Sequence, residues 1–147
     1  MASSPLPTAD QISALTEAFR RDPASAYVEL GEKLLALGRP RDAVEVGARG
    51  LKVDGQNLRG RVMVATAFAQ LHQWKEAQAE LLKVVKADRN NGAGFRLLGE
   101  VLMRRNDYER ALPVLQHAQN LNPSDPAILA LVRRARSGQP LDPPAPI

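Results

Sequence analysis

A repeat of 34 residues constrains this chain more than any other feature of its sequence. Leu30-Gly31 and Leu98-Gly99 lie 68 residues apart with Val64-Ala65 midway between them, which sets the period at 34. Counted from Ala24, Leu58 and Gly92, the eighth position is small each time (Gly31, Ala65, Gly99) and the twentieth is always alanine (Ala43, Ala77, Ala111). The eleventh is apolar (Leu34, Phe68, Leu102), the seventeenth is Pro40, Trp74 or Tyr108, and the unit closes on Asp54-Gly55, Asp88-Arg89 or Asn122-Pro123. A period of this length belongs to chains built from stacked supersecondary units, in which each unit buries its apolar face only against its neighbours.

Within each unit the pattern is that of two helices. Apolar residues at positions 7 and 11 share one helical face, and the small residue at position 8 admits a close neighbour. The spacing predicts helices over 24–37, 40–53, 58–71, 74–87, 92–105 and 108–120, followed by a seventh over 126–136 with Arg133, Arg134 and Arg136 near its end, where cations suit the helix dipole. Asp22-Pro23 and Asp125-Pro126 each place a capping acceptor before a proline suited to the first helical turn. Gly38, Gly55 and Asn106 mark turns. Ahead of the first unit, Thr8 and Gln11 have capping-box spacing, and Ile12, Leu15 and Phe19 recur on one face of a helix over 8–20. Its apolar stripe either closes the first unit or lies in a groove of the array. The stripe does not choose between them.

The resulting organisation is an N-terminal segment over 1–23, repeats over 24–57, 58–91 and 92–125, a capping helix over 126–137 and a tail over 138–147. With Pro140, Pro143, Pro144 and Pro146 the tail cannot form a packed helix or strand, and it reads as a disordered end or, preferably, a semi-rigid linker leading onward.

These residues resemble the tetratricopeptide repeat, most closely over Asn106 to Leu112, and the resemblance covers residues 24 to 125. It implies an all-α fold, a right-handed superhelical stack of helix-turn-helix repeats, with the first helix of each unit lining a concave groove. Arg61 departs from the family by replacing a large aromatic that Tyr27 and Phe95 retain. Gly47 and Gly50 replace larger residues, each costing a helix about 1 kcal/mol relative to alanine, so the 40–53 helix is expected to be the weakest. Pro113 removes a helical amide, and a bend is expected there.

The composition excludes several chemistries. There is no cysteine, hence no disulfide framework, thiolate metal site or thiol nucleophile. His72 and His117 lie 45 residues apart with no ligand at metal spacing; they read as a turn residue and a helix-surface residue, and no metal or cofactor is expected. Glu29 stands four residues before Lys33, which suits a surface ion pair, no serine lies in a nucleophile elbow, and Gly92-Ala93-Gly94 lacks the Lys of a phosphate loop. No enzyme activity is expected. Arginines cluster at 20–21, 39/41, 104–105 and 133–136. They fall at helix ends, and with Tyr27, Phe68, Trp74, Phe95 and Tyr108 assigned to the core little remains to stack on bases, which disfavours nucleic acid. The net charge of +4 names no partner, and without an export signal or an apolar span the chain reads as cytoplasmic by default.

On the orientation that the resemblance implies, the groove is lined by Val28, Glu32 and Leu35, then Arg59, Val62, Thr66 and Ala69, then Arg96, Glu100, Met103 and Arg104. An aliphatic floor between charges suits a protein partner, either a peptide segment or a folded surface. The function expected is that of an adaptor or scaffold. The alternative is a small dedicated chaperone for a secreted or aggregation-prone client. Repeat domains of this family that clamp acidic chaperone tails carry Lys, Asn or Arg where this chain has Val28, Glu32, Met63, Ala93 and Leu97, so that role is not expected.

Overall fold

The computed structural model describes residues 4–147, and within them the chain is helical with no strand. Eight helices follow in order: α1 (Ala9–Arg21), α2 (Pro23–Ala36), α3 (Pro40–Val53), α4 (Leu58–Gln70), α5 (Trp74–Ala87), α6 (Gly92–Arg104), α7 (Tyr108–Leu121) and α8 (Pro126–Ser137). None is long and apolar enough to cross a membrane. The chain forms two compact units that divide between α4 and α5, at Leu71 and His72.

Local chemistry explains the boundaries. Thr8 and Gln11 complete the capping box of α1: the Gln11 amide donates to Thr8 Oγ1 at 3.2 Å and the Thr8 amide to Gln11 Oε1 at 2.9 Å. The 34-residue period is carried by the caps as well as by the core. Asn57, Asn91 and Asp125, one period apart, cap α4, α6 and α8 by accepting from the amides of Gly60, Gly94 and Ala127. Asp22 differs from the expectation, since its side chain makes no cap bond to α2. Between the two helices of each repeat, Gly38, His72 and Asn106 are again one period apart, and all three are left-handed, with φ of 70°, 57° and 58°. Gly38 and Asn106 close the turn in the manner of a Schellman motif, the amides of Arg39 and Asp107 reaching back 2.9 Å to the carbonyls of Leu34 and Leu102. Arg61, which replaces the expected aromatic, secures the α3–α4 turn by donating to the Gly55 carbonyl from Nε at 3.1 Å and Nη2 at 2.7 Å.

The first unit, α1 to α4, buries Phe19, Tyr27, Leu30, Leu34, Met63 and Val64, with Ile12 and Leu15 of α1 packed against that cluster. The apolar stripe of α1 is therefore spent on the core of its own unit. Tyr27 is fully buried; its ring lies over the bare α-carbon of Gly50, and its hydroxyl over Gly60. That hydroxyl has no hydrogen-bond partner. Burial, with the nearby Asp54 carboxylate adding to it, pushes its pKa up to about 12.

The second unit, α5 to α8, buries Leu81, Val84, Phe95, Leu98, Val101, Leu102 and Leu115, closed by Ile128, Val132 and Ala135 of α8. Leu115 lies over the α-carbon of Gly99, which shows why position 8 must be small. Ala43, Ala77 and Ala111 are each fully buried, so position 20 has no room for a larger side chain without repacking. Helix α7 runs through Pro113 as one element.

Candidate partner-binding site

The residues expected to line a groove sit on the first helix of each repeat. In the first unit these are α2 and α4. Val28, Leu35, Val62, Thr66 and Ala69 are half-buried, leaving an aliphatic surface in part open to solvent. Thr66 turns its hydroxyl back to the Val62 carbonyl at 2.8 Å, so that donor is spent within α4. Across this surface Arg59 Nη2 of α4 meets Glu32 Oε1 of α2 at 2.5 Å, with the two side chains 72% and 41% exposed. An ion pair that open contributes at most about 1 kcal/mol to stability.

In the second unit, Arg96 of α6 faces Asp125 at 3.8 Å, and Glu100 and Arg104 are half-buried. Met103, expected on the floor of the groove, is only 1% exposed and belongs to the core. Two assignments of aromatic and basic residues also change. Tyr27 and Phe95 are buried, but Phe68, Trp74 and Tyr108 are half-buried. Arg104 and Arg134 are not merely solvated helix ends: Arg104 Nη1 donates to the carbonyl of Asp142, and Arg134 Nη1 to that of Pro140 at 2.9 Å.

A family model of the tetratricopeptide repeat matches residues 63–126, the stretch that holds the small, alanine and capping positions of the second and third periods. Over that stretch the chain matches the tetratricopeptide repeat. Among solved structures, MamA superposes with a TM-score of 0.81 at 17% identity, over 87% of this chain and 76% of that one. The first tetratricopeptide domain of Spaghetti (RPAP3), solved bound to an HSP90 peptide, gives 0.74 at 18% identity, over 78% of this chain and 94% of that one. The TPR2B domain of yeast Sti1, solved as a pHsp70 complex, gives 0.74 at 22% identity, over 80% of this chain and 98% of that one. A comparison with curated protein sequences found no match. At these identities the likeness is one of fold, that of the tetratricopeptide α-superhelices.

In the frame of the tetratricopeptide repeat, Arg59 is position 2 of its unit, Arg96 position 5 and Arg104 position 13. Sequence reasoning found these cations but not their companions. Asp125, Asp142, His72 and Arg134 meet them or continue their line only through tertiary structure, and no spacing in the sequence joins Arg104 to a residue 38 positions onward. One signal was available: a segment with four prolines in ten residues is short of amide donors, so its carbonyls need donors from elsewhere.

Proposed function

We propose that this chain is a non-catalytic protein-binding module, an adaptor or scaffold that holds a partner segment or surface against the first helices of its repeats. The observation that supports the reading best is the combination on α2 and α4: half-buried Val28, Leu35, Val62 and Ala69 beside the exposed Arg59–Glu32 pair. Partly open aliphatics supply non-directional affinity, and charges at their margin set register. The HSP90-peptide complex of the Spaghetti domain and the pHsp70 complex of the Sti1 domain lend the reading support, because a similar fold there holds a protein ligand. The ligand here is of different chemistry. Where an acidic chaperone tail would need cations, this chain has Val28, Glu32, Met63, Ala93 and Leu97, and Met63 is buried. The partner instead offers aliphatic side chains with carboxylates, one for Arg59 in the first unit and one for Arg96 in the second.

Affinity capture with three baits tests this: the unaltered chain, R59E/R96E, and K83E/K86E on α5 as a control. A protein retained by the first and third and lost from the second supports the reading. Retention by the double-arginine variant together with loss from the lysine variant overturns it.

A further inference from the structure

The proline-rich segment has a defined place in the second unit. Gly138 ends α8 in the left-handed conformation, with the Gln139 amide bonded to the Arg134 carbonyl at 2.9 Å, and the chain then passes three donors in turn. Arg134 Nη1 donates to the Pro140 carbonyl at 2.9 Å and approaches Asp142 Oδ1 at 3.5 Å. Arg104 Nη1 donates to the Asp142 carbonyl. His72 Nε2 meets the Ala145 carbonyl at 2.9 Å, which requires that nitrogen to carry the proton. The last two donors share a platform: the rings of His72 and Trp74 stack 5.3 Å apart at 14°, and the Arg104 guanidinium lies 6.0 Å from the Trp74 ring centre. Leu141, between the first two contacts, is half-buried.

Proline has no N–H, so an extended proline-rich strand offers mainly carbonyl acceptors. A surface that holds such a strand by its backbone must be made of donors. Three donors from three separate elements, α8, the end of α6 and the turn before α5, meet that requirement, and all three address main-chain oxygens. Contacts of this kind read backbone spacing and the absence of competing amides; the single side-chain preference is for a carboxylate opposite Arg134.

Resting on the reading of this chain as a protein-binding module, we propose that the strip from Arg134 through Arg104 to His72 and Trp74 is a binding site for an extended proline-rich segment carrying an acidic residue. Residues 139–147 are its occupant in cis, and a partner segment of the same chemistry enters by displacing them. Tethering gives the resident segment an effective concentration in the millimolar range. A free competitor is handicapped accordingly.

Trp74 is the only tryptophan, and its neighbours His72 and Arg104 both bond the occupant, so its fluorescence reports occupancy. The probe is a synthetic peptide of residues 138–147, titrated into the intact chain and into a chain whose residues 139–147 are replaced by the same number of Gly and Ser residues. Saturable binding is expected in the replaced chain, at least tenfold weaker in the intact chain, and at least tenfold weaker again when R104A/R134A is added to the replaced chain. Equal affinity for the two chains, no binding to the replaced one, or indifference to R104A/R134A overturns the proposal. Should the replaced chain lose its helical circular dichroism, the intact R134A variant decides: acrylamide quenching of Trp74 must rise, because the Arg134 side chain bonds the segment, and unchanged quenching overturns the proposal. A mass that doubles with concentration in the intact chain and falls back in the replaced one places the segment on a second copy and overturns the assignment in cis. None of these measurements involves the protein partner. Failure here with the Arg59/Arg96 effect intact removes only this site, and the reverse removes only the proposed function.

Discussion

The ring of Tyr27 rests on Gly50 so closely that a Cβ at position 50 would fall inside the ring carbons. Gly60 supports the other end of the same side chain in the same way, beneath the hydroxyl. Two glycines from two helices thus form the slot that holds the largest fully buried side chain of the first unit. Position 50 is glycine for packing, although helix propensity alone disfavours it.

Gly50→Ala therefore separates propensity from packing. Propensity predicts a gain of about 1 kcal/mol, whereas intrusion on a buried aromatic ring costs about 1–3 kcal/mol. Thermal melting is expected to show the loss. Gly92→Ala is the control, because nothing lies within 4 Å of its missing Cβ, and it should be neutral or slightly stabilising.

Tyr27→Phe removes a buried hydroxyl that has no partner, and a gain of about 1 kcal/mol in denaturant unfolding at pH 8 is expected. The pH dependence has a definite sign. The folded chain keeps the phenol proton up to about 12, while the unfolded chain releases it near 10. The resulting stability is complete below pH 10 and is lost as pH rises towards 12. Relative to the phenylalanine variant, the unaltered chain should lose about 1.4 kcal/mol by pH 11. Parallel stability curves for the two proteins between pH 8 and 11 would contradict this.

Phe19 tests the role of α1. It is buried with Arg49 stacked 4.9 Å over its ring, and Ile12 and Leu15 pack against the same cluster. Phe19→Ala should cost about 3–5 kcal/mol. Deleting residues 1–21 should lower the melting temperature without tightening partner binding. Tighter binding after deletion would show that α1 competes with the partner.

The double reversal R59E/R96E should weaken partner binding by about 2 kcal/mol, roughly thirtyfold, by calorimetric titration. Its effect on the melting temperature should be small, since the Arg59–Glu32 pair is open to solvent and the Arg96–Asp125 contact, whose arginine is half exposed, is long at 3.8 Å.

Much of the fold was legible because two periods coincide. The 3.6-residue period marks helical faces, the 34-residue period repeats them, and positions 8 and 20 show where helices approach closely. What escaped depends on contacts between residues far apart in the chain. Position 12 holds Met103, and an apolar residue there looks the same whether it floors a groove or completes a core. Gly50 carries a propensity cost visible in sequence, but its benefit is visible only once Tyr27 lies across it. The proline-rich segment has no period at all, and its place is set by Arg134, Arg104 and His72, which α8, α6 and a turn bring into line. Asn57 and Asn91 were legible in principle, one period apart and each before a helix, had the caps been counted along with the core.

The left-handed turn at His72 sets sturdiness against recognition. The equivalent turns use Gly38, which adopts φ of 70° freely, and Asn106, which tolerates φ of 58° well, whereas an imidazole-bearing residue at 57° holds a conformation about 1 kcal/mol above its preferred one. His72→Gly would relieve that strain and remove the ring that stacks on Trp74 and meets the Ala145 carbonyl. A variant chosen only for heat resistance would thus drift towards glycine at 72 and become a poorer receptor for the proline-rich strand.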